Sequence, residues 1–95
     1  MKTNLKLYEL YLGHDNSTKE RFKERLICNI CNEFFIGYTI LKSEGYYKGT
    51  KEASYLIKLI SNEVTQVNKL KTALQLRLNQ ESILLTTHTL QKAEF

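Results

Sequence analysis

The apolar residues of this chain follow two spacings in turn, and the order of those spacings restricts the fold more than any other feature. Lys6-Leu7-Tyr8-Glu9-Leu10-Tyr11-Leu12 is short, rich in aromatic and aliphatic side chains and closed by Gly13, which predicts a strand. Alternate residues of a strand point to opposite sides. One side therefore carries Tyr8, Leu10 and Leu12, and the other Leu5, Leu7 and Tyr11, interrupted by Glu9. Ser17-Thr18-Lys19-Glu20 has the spacing of a capping box, and Phe22, Leu26, Ile27, Ile30 and Phe34 then recur at helical intervals. The expectation is a helix from this box to about Glu33.

Extended segments follow at Tyr38 to Ser43 and Ala53 to Ile60, joined as a hairpin through Glu44-Gly45-Tyr46-Tyr47-Lys48-Gly49-Thr50-Lys51. The two glycines can take left-handed conformations in a bulge or tight turn. A second helix is expected from about Glu63 to Asn79, capped by Asn62, with Val64, Val67, Leu70, Leu74 and Leu78 on one face. Ser82 to Leu90 reads as a last strand.

Strand, helix, strand, strand, helix, strand is the order of the ferredoxin-like sandwich, an α+β fold with two helices on one face of an antiparallel sheet. Right-handed crossovers leave the sheet order four, one, three, two. A chain of 95 residues makes one such domain, residues 1–95. The central strands are apolar on both sides, with Tyr55, Ile57 and Leu59 on one face and Leu56 and Ile60 on the other. Two helices can cover only one face, so the open face predicts a partner, in the first instance a homo-oligomer. Glu9 and Lys58 mark the outer face and are expected to pair across neighbouring strands.

Composition removes several function classes. The net charge of +4 is spread along the chain, and the strands lack interleaved aromatic and basic residues, so a nucleic-acid partner is not expected. No apolar run approaches the roughly 20 residues of a membrane helix, and no basic segment followed by an apolar stretch opens the chain. A cytoplasmic protein without membrane contact is expected. Lys, Asn, Leu, Ile and Thr are abundant while Pro and Trp are absent, a bias associated with AT-rich genomes, phages among them.

Cys28 and Cys31 form a Cys-x-x-Cys pair, but they fall within the first helix near its apolar stripe and no second pair follows; core thiols, no metal and no cofactor are expected. His14 and His88 stand beside no recognisable nucleophile motif, and Glu20, Glu24 and Glu33 read as a solvated helix face. The hairpin segment is the richest candidate. Tyr46 and Tyr47 can stack on a flat ring, Lys48 and Lys51 together with Arg77 can meet phosphate, and Gln80 or His88 can hydrogen-bond to a ligand. The polar run Arg77-Leu78-Asn79-Gln80-Glu81-Ser82 is a second unusual cluster, at a place where helix-end carbonyls need partners.

Tyr8-Glu9-Leu10-Tyr11-Leu12-Gly13, Tyr38-Thr39-Ile40-Leu41 with Gly45-Tyr46-Tyr47, and Arg77-Leu78-Asn79-Gln80-Glu81-Ser82-Ile83-Leu84 together resemble an uncharacterised family of short bacterial proteins. Its members carry a Tyr/Phe-Leu-Gly strand end, a Gly-x-Trp step and a Gln-Glu-Ser-Val-Leu finish. The resemblance implies a ferredoxin-like fold and no known activity. Tyr47 stands where the relatives have Trp, and the export or lipoprotein signal of many relatives is not found.

These readings together predict a non-enzymatic, homo-oligomeric binding protein, phage-borne in its most concrete form, that sequesters a small anionic nucleotide-type ligand such as a host immune signal. The alternative is an inhibitor that occupies a host protein through the open sheet face or an edge strand. A third reading is a small dimeric enzyme built around His88 and the tyrosines.

Overall fold

The structure, a computed structural model, describes residues 4–91; residues 1–3 and 92–95 of the expected domain lie outside the described residues. Its elements run β1 (Lys6–Leu12), α1 (Glu24–Cys31), β2 (Thr39–Tyr47), β3 (Thr50–Ser61), α2 (Val64–Arg77) and β4 (Leu84–Thr89). All strand pairs are antiparallel and the sheet order is β2-β3-β1-β4, the order expected from right-handed crossovers. The fold is ferredoxin-like. None of the helices among the described residues is long and apolar enough to cross a membrane.

The register puts Tyr8, Leu10 and Leu12 of β1 opposite Leu59, Ile57 and Tyr55 of β3. These six side chains face the helices and are at most 3 % exposed. Ile27, Ile30 and Cys31 of α1 and Val67, Leu70 and Leu74 of α2 close on them, all with no exposed surface. Burial of this kind is what holds a small domain together, at roughly 25 cal/mol for each Å² of apolar surface withdrawn from water. The Tyr55 hydroxyl would be a liability in that layer, but it donates to the Phe22 carbonyl at 2.9 Å.

The first helix is shorter than its sequence suggests. Ser17 does not cap it. Instead Asp15 Oδ1 accepts from both Ser17 N (2.8 Å) and Ser17 Oγ (2.6 Å), and Glu20 N turns to Thr18 Oγ1 at 3.2 Å. Lys19 takes φ 63, outside the helical region, and the helix starts only at Glu24. An Asx turn competes with a capping box for the same hydroxyl, and here it wins. Phe22 still reaches the core, as its place in the stripe implies, but from a loop.

The second helix begins one residue later than expected and without an Asn62 cap; Ser61 Oγ accepts from Glu63 N at 2.9 Å in its place. It ends in a Schellman motif: Asn79 takes φ 51, Gln80 N reaches Gln75 O at 2.9 Å and Asn79 N reaches Leu76 O at 3.4 Å. The segment Glu44 to Lys51, expected as a connection, is strand on both sides of a two-residue turn. Lys48 (φ 51) and Gly49 (φ 78) both occupy the left-handed region, and Tyr47 pairs with Thr50, the geometry of a type I′ hairpin.

Because β1 stops at the Leu12 and Tyr55 pair, the β2–β3 hairpin continues past the rest of the sheet. Arg21 holds its root. Its Nη2 donates to Ser43 O at 2.9 Å and its Nε to Ser54 O at 3.2 Å, with the guanidinium 5.7 Å from the centre of the Tyr55 ring.

The core predicts unequal costs on one helix. Leu74→Ala, at a wholly buried position, should lower unfolding free energy by about 2–5 kcal/mol in urea titration. Leu76→Ala, two residues on and 75 % exposed, should stay within about 0.5 kcal/mol of the parent.

Candidate functional site

Three separate pieces of chain meet where β1 ends. The strand runs out into Gly13 and His14, β3 passes alongside with Glu52, and the turn from α2 to β4 brings Gln80, Glu81 and Ser82. Gln80 ties these pieces together. Its Oε1 accepts from Gly13 N at 3.2 Å and its Nε2 donates to His14 O at 3.1 Å, so one side-chain amide satisfies the backbone on both sides of a bend, as a strand would. The fit is close: a Cβ added at Gly13 would lie 3.2 Å from that Oε1. Asn16 adds a bond from Nδ2 to Asn79 O at 3.0 Å.

These residues line a concavity of about 330 Å³. The His14 side chain is only 16 % exposed, with Nε2 3.7 Å from Glu52 Oε1. Its Nδ1 is buried and makes no hydrogen bond among the described residues. Glu81 and Ser82 stand at the exposed rim. Two carboxylates at one small opening attract a positive centre or the paired hydroxyls of a sugar, and they repel phosphate. Glu52 belongs to the same alternate series of β3 as Leu56 and Ile60, so the concavity opens at the margin of the helix-free sheet face.

The residues expected to form a ligand site do not converge within one chain. Tyr46, Tyr47, Lys48 and Lys51 lie at the hairpin end, where Tyr46 stands opposite Lys51 and is 71 % exposed. Lys51 Nζ is 3.0 Å from Glu44 Oε1, already engaged with a carboxylate. Arg77 ends α2 and pairs with Glu33 of the turn after α1. Of those whose side chains are described, Gln80 alone lines the concavity. His88 lies on the open sheet face against Glu9.

His14, Glu52, Glu81 and Ser82 are the partners that sequence reading did not assemble. The signal available for them was the polar run after α2; nothing in it specified Glu52, which arrives through strand register.

The thiol pair is divided between surface and core. Cys28 is half-buried, Cys31 is wholly buried in the helix–sheet layer, and both are free thiols. Burial, reinforced by the neighbouring Cys28, pushes the Cys31 thiol up to about 12. Burial also raises Tyr55, and Glu24 adds to it against the opposing Arg21.

With the geometry in view, the class is that of a small ferredoxin-like α+β protein. No family model and no curated protein matches the chain. Among solved structures, it is similar to a DUF3240 family protein from Shewanella baltica, with TM-score 0.67 and 16 % identity over 98 % of this chain and 97 % of that one. A phage SAM lyase in its apo state matches at TM-score 0.70 and 17 % identity, covering 97 % and 95 % of the two chains. A nitrogen regulatory PII-like protein from Thiomonas intermedia, bound to ADP, AMP and bicarbonate, matches at TM-score 0.62 and 20 % identity, covering 95 % and 93 %. At these identities the likeness establishes the fold.

Two measurements follow from this geometry. Gln80→Ala removes the donor and the acceptor that hold the end of β1, and should lower stability by about 1–3 kcal/mol in urea titration. The second concerns alkaline pH. An unfolded thiol ionises near 9 whereas Cys31 stays protonated to about 12, so the unfolded state loses its proton first and stability falls as pH rises through that window. Urea midpoints should decline over the same range, and less steeply in Cys31→Ala.

Proposed function

We propose that this chain is a homo-oligomeric small-ligand protein that receives a nucleoside-type compound bearing a positive centre, of the SAM kind, in the concavity of His14, Glu52, Gln80, Glu81 and Ser82. The observation that carries this reading is the placing of two acidic residues, Glu52 and Glu81, at one opening beside His14. A carboxylate accepts from both hydroxyls of a ribose, and it also meets a sulfonium or ammonium group; free nucleotide phosphate would find two like charges there. The names of two similar structures, one a SAM lyase and one bound to ADP and AMP, support an adenosine-type ligand.

The homo-oligomer rests on the helix-free face. Tyr11, Leu41, Ile60 and Leu84 all point to it and are 41 %, 44 %, 43 % and 61 % exposed. The same face carries Glu9, Lys58 and His88, so a second copy turned against it meets both acid and base. Such a copy would border the concavity and wall its open side. In a phage-borne protein, tight capture would withdraw the ligand from the host, and turnover would destroy it; the site chemistry serves either outcome.

A second reading, capture of an anionic nucleotide at the hairpin end, is favoured by the exposed Tyr46 beside Lys51.

Calorimetric titration with SAM, ADP and AMP separates these readings. SAM should bind, and Glu52→Gln and Glu81→Gln should each weaken it by about tenfold or more, the effect of losing a hydrogen bond to a charged group. SAM recovered intact after denaturing the complex indicates capture, and its disappearance indicates lyase-type turnover. Binding of ADP alone, abolished by Lys51→Ala, would move the site to the hairpin. Absence of binding to all three would remove the nucleoside reading.

A further inference from the structure

Glu9 of β1 stands directly opposite Lys58 of β3 on the helix-free face, and two pairs along the register from His88 of β4. Its carboxylate lies 2.8 Å from His88 Nε2 and 3.6 Å from Lys58 Nζ. No helix among the described residues covers this side, yet the Glu9 side chain is only 13 % exposed, while Lys58 keeps 40 % and His88 53 %. Thr86, directly across from Glu9 on β4, has a buried hydroxyl with no hydrogen bond among the described residues. A carboxylate is thus held, almost dry, at the centre of an apolar sheet surface.

We propose that self-association through this face is acid-labile, with His88 the residue that makes it so. The inference rests on the reading that a second copy covers the face. With a neutral imidazole, Glu9 and Lys58 balance one another and His88 adds no charge beside the carboxylate. Covering the face then withdraws a compensated group of charges from water. A proton on His88 changes the sum: each copy brings one positive charge in excess, which must be desolvated and set against the same excess on its neighbour.

Association therefore releases protons, and by linkage it weakens on acidification. The other titratable groups at this face are Tyr11 of β1 and, at the margin beyond the end of β1, Glu52 with His14 Nε2 3.7 Å from it, while β2 contributes Thr39, Leu41 and Ser43, none of which titrates.

Sedimentation equilibrium of the full chain at about pH 8 and about pH 5.5 tests this. The dissociation constant of the wild type should rise by about tenfold or more on acidification, a coupling of ordinary size. His88→Gln keeps an amide donor for Glu9 but cannot titrate, and should associate equally at both values. His88→Lys carries its charge permanently and should be dissociated at both. A wild-type oligomer of unchanged affinity at the two values overturns the inference and leaves self-association standing, as does a His88→Gln variant that keeps the full pH response. A wild type that is monomeric even at about pH 8 overturns the self-association reading itself, and the two failures are thereby distinct.

Discussion

The pairing of β1 with β3 is the constraint on which the rest of this molecule depends. These two strands are the centre of the sheet, and their register assigns every side chain on them to one of two environments. Tyr8, Leu10 and Leu12 meet Leu59, Ile57 and Tyr55 beneath the helices, while Leu7, Glu9 and Tyr11 meet Ile60, Lys58 and Leu56 on the open side. A slip of one residue would send Glu9 and Lys58 into the core, where a charge is far more costly than at the half-open surface it occupies. The ion pair thus has a structural consequence beyond its own small energy: it opposes any slip of a single residue between the two strands.

The same pairing explains why the candidate site lies where it does. β1 is short and β3 is long, so the central layer ends at Leu12 while the hairpin continues. That step leaves a notch, and the chain leaving β1 must bend away from a strand that runs on. Gln80 supplies the missing backbone partners, and Arg21 braces the hairpin from the helix side by donating to both strands. Glu52 and His14 face each other across the notch as a result. Their approach follows from unequal strand lengths and from no local motif.

Charge is distributed in a way the overall balance of +4 conceals. Lys51 at the hairpin end and Arg77 are engaged with Glu44 and Glu33, whereas the concavity presents carboxylates. A basic chain can therefore offer an acidic opening, because net charge describes the long-range field and a pocket of a few side chains answers to its own lining.

The sequence by itself determined the element order, the two-sided apolar character of the central strands and the outward placing of Glu9 and Lys58, since a period of two or 3.6 is a property of the chain alone. It also contained the Gly49 turn and the extent of the second helix to within two residues, because left-handed positions and helical stripes have local causes. It misread the start of α1, where Asp15 and Glu20 compete for the hydroxyl of Ser17 and the winner depends on how the loop must bend to deliver Phe22 to the core. Only tertiary structure decided that Tyr46 and Lys51 do not share a site with Gln80, that His88 lies against Glu9, and that Glu52 joins His14. Those contacts are set by strand register and strand length across many intervening residues, quantities that no local pattern of residue types encodes.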